Sequence, residues 1–186
     1  AASVFYQTYD GFQVSVSNNG VVTTQSAGSA KNLGVELEGN LKLASYLSIF
    51  GTFAYIDGGI GDEAANGVFA GNRFRLQPDV TASGGAMLRV PVGSATVYAT
   101  PTVTYKSKVF FELPNNPAIS TPGYTLVNLR AGLEFAAGKY SVGGFVRNAT
   151  NKRYLIDAGN TGGGFGIPTY IAGEPRFYGV ELGAKF

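Results

Sequence analysis

The stretch RFYGVELGAKF, residues 176–186, sorts cleanly when every second residue is taken. Tyr178, Val180, Leu182, Ala184 and Phe186 form an apolar set. Phe177, Gly179, Glu181, Gly183 and Lys185 form the other, which carries the charges and the glycines. Successive side chains of a strand point to opposite faces, so a period of two reads as a strand with one apolar face. Chain ends are ordinarily frayed and polar. This stretch carries an aromatic residue to its last position, as a docked strand would.

The same alternation recurs along most of the chain. NLGVELEGNLKL places Leu33, Val35, Leu37, Leu41 and Leu43 opposite Asn32, Glu36, Glu38, Asn40 and Lys42. DVTASGGAMLRVPV, SATVYATPTVTYK, LVNLRAGLEF and YSVGGFVRN divide in the same manner. SIFGTFAYI (48–56) is rich in aromatics and less cleanly sorted, and the opening SVFYQTYDGFQVSV reads as one noisier strand. The total is about eight strands. Pro101 falls inside one of them and has no N–H to give, so a bulge or an unpaired position is expected there. The connections alternate in length. Segments 17–30, 57–78, 113–123 and 155–175 are long, while 44–46, 92–94 and 136–139 are short. In an antiparallel meander that alternation gathers every long loop at one end.

Composition narrows the function. The chain has no cysteine and no histidine, which removes thiol chemistry and the commonest general base and metal ligand. A net charge of +2 gives no electrostatic footprint for nucleic acid. Charged residues make up only 14%, against about a quarter in ordinary soluble domains. No apolar run reaches the roughly 18 residues of a membrane helix. The only methionine is Met87, so the chain reads as a processed protein or as part of a longer one.

A soluble barrel turns its apolar face inward, and a membrane barrel turns it to lipid. Three features favour the membrane form. The polar face is built of glycine, threonine, serine and asparagine, without the dense lysine and glutamate of a wetted sheet. The apolar face is Val, Leu, Ala and Phe, with tyrosine near strand ends. The long loops are glycine-rich and lie at one end. The expected fold is therefore all-β, an antiparallel transmembrane β-barrel.

Three motifs carry a family likeness. NLGVELEGNLKL, VRNATNKRYL (146–155) and GEPRFYGVELGAKF (173–186) resemble, in order and spacing, segments of TonB-dependent outer-membrane receptors. That resemblance implies a 22-stranded barrel with an N-terminal plug, of which residues 1–186 would be the C-terminal barrel segment without the plug. Three arrangements fit the sequence: a fragment of that larger wall, a split subunit of it completed by other chains, or a small barrel of about eight strands closed on itself. The resemblance implies uptake of a scarce nutrient such as a metal chelate, vitamin or oligosaccharide. It also implies residence in the bacterial outer membrane, contact with its lipid and lipopolysaccharide, insertion by the barrel-assembly machinery, and coupling to TonB through the plug. The terminal row Tyr178, Val180, Leu182, Ala184 and Phe186 would face lipid and serve as the assembly signal. A structural outer-membrane barrel without transport is the alternative. An outer-membrane hydrolase is disfavoured by the missing histidine.

Candidate sites are few. In GVFAGNRFRLQPD (67–79), Arg73 and Arg75 offer guanidinium donors, and Phe69 and Phe74 offer aromatic faces, for an anionic ligand at the outer mouth. Asp57, Asp62 and Glu63 are hard oxygen ligands, but their spacing does not fit a calcium loop, and they read as a polar turn. TGGGFGIP (161–168) has glycines but no lysine or helix for a phosphate loop. Glu36 and Glu38 share the polar face, with no oriented nucleophile near them in sequence. No catalytic residue, metal site or cofactor is expected.

Overall fold

The computed structural model describes residues 1–18, 21–162 and 167–185. Fourteen strands follow in order: β1 (Ala2–Tyr9), β2 (Gln13–Asn18), β3 (Val21–Ser26), β4 (Ala30–Ala44), β5 (Leu47–Ile60), β6 (Val80–Val92), β7 (Ala95–Lys106), β8 (Val109–Phe110), β9 (Ser120–Thr121), β10 (Tyr124–Phe135), β11 (Tyr140–Arg147), β12 (Leu155–Gly162), β13 (Ile167–Ala172) and β14 (Phe177–Ala184). Eight of them pair as one antiparallel sheet in the order β1-β4-β5-β6-β7-β10-β11-β14. The remaining six pair as the hairpin β2–β3, the short ladder β8–β9 and the hairpin β12–β13. Each of these decorates a long connection of the meander. The short turns β4–β5, β6–β7 and β10–β11 lie at the opposite end. Among the described residues β1 and β14 are not paired with each other, so the sheet is open.

The opening stretch is two strands and not one. Tyr9 ends β1, and the chain breaks at Asp10-Gly11, with Gly11 at φ 65°, before β2 starts the hairpin. The long segment 17–30 is likewise mostly hairpin. Its polar, threonine-rich residues gave no apolar face to read. Pro101 causes no bulge. It sits opposite Leu129 in the β7–β10 register, while the β6–β7 ladder lapses between Gly85↔Thr102 and Leu88↔Ala99 and resumes unshifted. The missing N–H leaves an unpaired position and nothing more.

The registers join the alternating sets across the whole sheet. Val4, Val35, Tyr55 and Val80 form one row. Leu133, Val142, Leu182 and Val97 form another. This face is open. Val180 is 77% and Leu182 81% exposed, and no large side chain among the described residues is fully buried. A water-soluble sheet of this size would cover such a face with a second layer. Lipid covers it in a membrane barrel. On β4 the stripe Leu33 to Leu43 spans about 34 Å of strand, which at a tilt of 35–45° stands about 24–28 Å tall, the height of an outer-membrane apolar band. Phe186, the expected end of the terminal row, lies outside the described residues.

The opposite face holds the charges. Arg130 reaches over β11 to Glu181 at 2.6 Å, and Arg89 reaches over β7 to Glu134. A reach across an intervening strand is shortest on the concave side of a coiled sheet, which makes this the inner face. Its glycines have partners. Phe5 sits opposite Gly34, Phe50 opposite Gly85, Phe145 opposite Gly179 and Tyr98 opposite Gly132. At Gly34, Gly85 and Gly179 the phenylalanine ring occupies the space a Cβ would need, and at Gly132 the Tyr98 hydroxyl and the β11 backbone do. Aromatic cover of cross-strand glycines keeps an inner wall packed where the lining is otherwise thin. It also explains the poor sorting of 48–56, because Phe50 serves the inner face and Phe53 the outer one.

Candidate binding surface at the loop end

Among the described residues the buried hydrophobic clusters lie at the long-loop end. Val14 of β2, Ala27, Ala30, Ile60, Phe69 and Leu113 form one buried cluster, with Phe12, Val16 and Phe74 packed on it. Val109, Phe111, Ile119 and Ala158 form a second, with Leu155 against it. Ala30 and Ile60 share the parity of Asn32 and Glu36, the inner face. The first cluster therefore lies on the lumen side of the wall, so these loops fold over the mouth.

Three asparagines fasten the loops together. Asn66, in the 3-10 turn Ala64–Phe69, is 6% exposed. Its amide donates to the Gly61 carbonyl at 2.8 Å, to Glu63 at 2.9 Å and to Ser29 Oγ at 3.2 Å, and its Oδ1 accepts from the Ser29 amide. Gly28 stands against it at φ 81°, and a Cβ there would collide with the Asn66 amide. Glycine is required twice over, by conformation and by contact. Asn115 ties the second loop to the third. It accepts from the Arg73 amide at 2.8 Å, donates to the Arg73 carbonyl at 3.1 Å, and its own backbone N–H donates to Asn72 Oδ1 at 2.6 Å. Asn148 is 3% exposed and at φ 47°, a left-handed conformation that asparagine tolerates. Its side chain donates to the carbonyls of Lys152 and Glu174, both at 2.9 Å, and accepts from the Lys152 amide at 2.8 Å. Its own amide donates to Asn128 of β10 at 2.9 Å.

Asn148 gives the motifs VRNATNKRYL and GEPRF a physical meaning. It clamps the start of the last loop to its end. Arg147 pairs Glu174 at 2.8 Å, and Gly173 leaves room for the Tyr154 ring, which stacks on Tyr124 at 4.4 Å. These residues are a fastening and not a ligand set.

The expected ligand residues of loop 67–79 separate by role. Phe69 is buried in the first cluster, and Phe74 packs on Phe12 with ring centroids 4.9 Å apart. Arg73 pairs Asp79 and stands 3.9 Å from Asp57. Arg75 is exposed and makes no ion pair among the described residues. Glu63 accepts hydrogen bonds from Ser29 at 2.9 Å and from Asn66. Its carboxyl is held below the ordinary value, first by a hydrogen bond to its own backbone, then by Ser29, with Asn66 and Lys31 adding and burial opposing. Among the described residues no group of acidic side chains could hold a metal ion. The sequence reading passed over Asn66 and Asn115. Their signal was only asparagine beside glycine or proline in a loop, which is common.

The family model for the TonB dependent receptor-like β-barrel matches residues 1–149. The chain belongs to this family. Members of the TonB-dependent receptor family are outer-membrane β-barrel proteins, and this chain shares that fold and location. No curated protein matches the sequence. Among solved structures, the fold resembles the ferric yersiniabactin uptake receptor FyuA from Yersinia pestis, at 18% identity and a TM-score of 0.81 over 97% of this chain and 26% of that one. It also resembles BauA, the ferric preacinetobactin receptor from Acinetobacter baumannii, at 22% identity and a TM-score of 0.70, covering 97% and 26%. The siderophore receptor PiuA from the same organism gives 21% identity and a TM-score of 0.69, covering 97% and 25%. The chain thus spans about a quarter of the length of these receptors. At such identities the likeness establishes the fold alone.

Proposed function

We propose that residues 1–186 form the C-terminal barrel segment, without the plug, of a TonB-dependent transporter that takes up a scarce nutrient. A metal chelate is the foremost substrate class, with a vitamin or an oligosaccharide behind it. The observation that carries this reading is the placement of the first loop cluster on the lumen side of the wall. Loops packed over a polar lumen build a capture surface at its mouth, whereas a purely structural barrel needs only short, solvated connections. The similar solved receptors named for ferric siderophores support the chelate.

Within loop 67–79, Arg75 contacts the anionic ligand directly. Phe69, Arg73 and Phe74 hold the loop that presents it. A guanidinium suits this task because it stays charged and offers planar, paired donors to carboxylate or catecholate oxygens. Coupling to TonB runs through a plug that lies outside residues 1–186. The terminal strand, from Tyr178 through Val180, Leu182 and Ala184 to Phe186, is the signal for the assembly machinery.

The test is uptake by iron-limited cells carrying the complete receptor. Radio-iron supplied as ferric siderophores should accumulate only when both the receptor and TonB are present. Arg75→Ala should weaken capture of an anionic chelate about tenfold, as expected for the loss of one charge-assisted contact. Equal accumulation of chelates, cobalamin and oligosaccharides with and without the receptor would overturn the transport reading and favour a structural barrel.

A further inference from the structure

The charges of the chain are unevenly divided. Residues 1–79 hold four Lys and Arg against seven Asp and Glu, and residues 80–186 hold ten against five. The inner face of the wall is divided in the same sense. Its β4 side offers Glu36 and Glu38, both exposed and without an ion pair among the described residues, with Lys42 at the short-turn end. Its other side offers Arg89 on β6, Arg130 on β10 and Arg147 on β11. A neutral strip of hydroxyls separates the two. Thr52 and Ser83 are bonded there at 2.7 Å, with Thr100, Thr102 and Thr104 beside them on β7.

The three arginines climb the wall on successive inner rows. Arg89 shares a row with Tyr98 and Gly132, Arg130 the next with Thr100 and Phe145, and Arg147 the next with Phe177. Neighbouring rows are two residues of strand apart, about 7 Å. Each guanidinium is held without being used up. Arg89 pairs Glu134, Arg130 pairs Glu181 and Arg147 pairs Glu174, yet each arginine side chain remains more than half exposed. Arg130 also lies against the Tyr98 ring at 6.0 Å, and Arg147 against the Phe177 ring at 5.1 Å. A guanidinium has five N–H donors in a rigid fork, and one carboxylate engages about two of them. A hollow of about 410 Å³ joins Arg147 to Arg130, and another of about 190 Å³ joins Arg130 to Arg89. Both ends of this arc are basic. Lys152, Arg153 and Arg176 at the loop end, and Lys139 and Lys185 at the short-turn end, are exposed and make no ion pair among the described residues. Cross-strand pairs that only buttress a wall need no such excess of charge.

We infer that the arc from β6 to β14 is the side of the lumen along which an anionic solute crosses, passing from Arg147 to Arg130 to Arg89. The basic ends draw the anion in and out, and the Glu36 and Glu38 side repels it. Passage needs sites that are favourable enough to enter and weak enough to leave, and three half-engaged guanidinium groups in series meet both conditions. The inference rests on the uptake reading and adds to it the charge of what passes and the wall it follows.

Uptake by iron-limited cells carrying the complete receptor tests it, with radio-iron supplied as an anionic ferric tris-catecholate or a neutral ferric tris-hydroxamate. Surface binding is measured in cells lacking TonB, and uptake in cells that have it. Arg89→Gln/Arg130→Gln should leave surface binding of the catecholate unchanged and lower its maximal uptake rate about tenfold. The hydroxamate should enter at the wild-type rate, and Arg89→Lys/Arg130→Lys, which keeps the charge, should keep most of the catecholate rate. Folding is checked by the heat-dependent gel shift of barrels. Thr100→Glu, which sets a carboxylate between the two arginines, replaces the double variant should that one not fold. Catecholate uptake by the folded variant at the wild-type rate would overturn the inference. So would equal slowing of both chelates, or uptake of the hydroxamate alone by the wild type. These outcomes leave the transport reading standing, whereas uptake of neither chelate by the wild type would overturn both.

Discussion

The outer and inner faces of the eight-stranded wall are made by the same strands, yet they obey different rules. The outer face is uniform, with Val, Leu, Ala, Phe and Tyr in rows that carry no charge through the belt. Nothing on it needs a particular neighbour, because lipid is an indifferent partner. The inner face is pairwise. Phe5, Phe50 and Phe145 each lie over a cross-strand glycine, and the arginines Arg89 and Arg130 each have one glutamate. Uniformity is enforced by the solvent, and pairing by local geometry. Changes of charge should therefore be costly anywhere on the outer belt, and on the inner face only where they break a pair.

The largest effect separates the faces directly. Leu129→Arg or Leu182→Arg should destabilise the barrel by about 2–4 kcal/mol, since a cation near the bilayer midplane loses its water. Met87→Arg, on the inner face, should cost less than about 1 kcal/mol. Urea titration of the complete receptor in vesicles reads both. Next comes Asn148→Ala, which strips the carbonyls of Lys152 and Glu174 of a buried donor. A cost of about 1–3 kcal/mol is expected, visible as faster proteolysis within 148–176 while the strands stay protected. A double-mutant cycle on Arg130 and Glu181 should return only a small coupling, because both side chains are exposed to water and its ions. A larger coupling would mean that the inner face is drier than described.

The smallest effect depends on pH. Folded Glu63 titrates below its ordinary value of 4.5, so its contribution to loop docking is full above that value. The contribution fades as pH falls through the lowered folded value. The protection of the amides over 61–66, relative to their intrinsic exchange rate at each pH, should fall in acid, and Glu63→Gln should remove the dependence.

The wall was legible in the sequence because period two is a strong signal wherever one face meets lipid. Leu33 to Leu43 and Tyr178 to Ala184 could be assigned to faces by counting. The long and short connections also fell where the pattern placed them. The hairpins β2–β3 and β12–β13 were not legible, because their side chains serve small loop cores and show no continuous apolar stripe. The loop contacts were hidden for a similar reason. Phe69 and Phe74 look like ligand aromatics beside arginines, and only the packing of Val14, Ile60 and Leu113 shows them supporting the loop. Asn148 stood inside a recognised motif, yet its four hydrogen bonds depend on Asn128 and Glu174, distant in sequence.

The assignment of faces is tested most directly by spin-label accessibility along β10. The chain contains no cysteine, so single cysteines from Val127 to Phe135 can each carry one nitroxide in the complete receptor in vesicles. Odd positions should be reached by dissolved oxygen, which concentrates in lipid, and even positions by a water-soluble nickel complex. An alternation of opposite phase, or none at all, would contradict the inverted barrel.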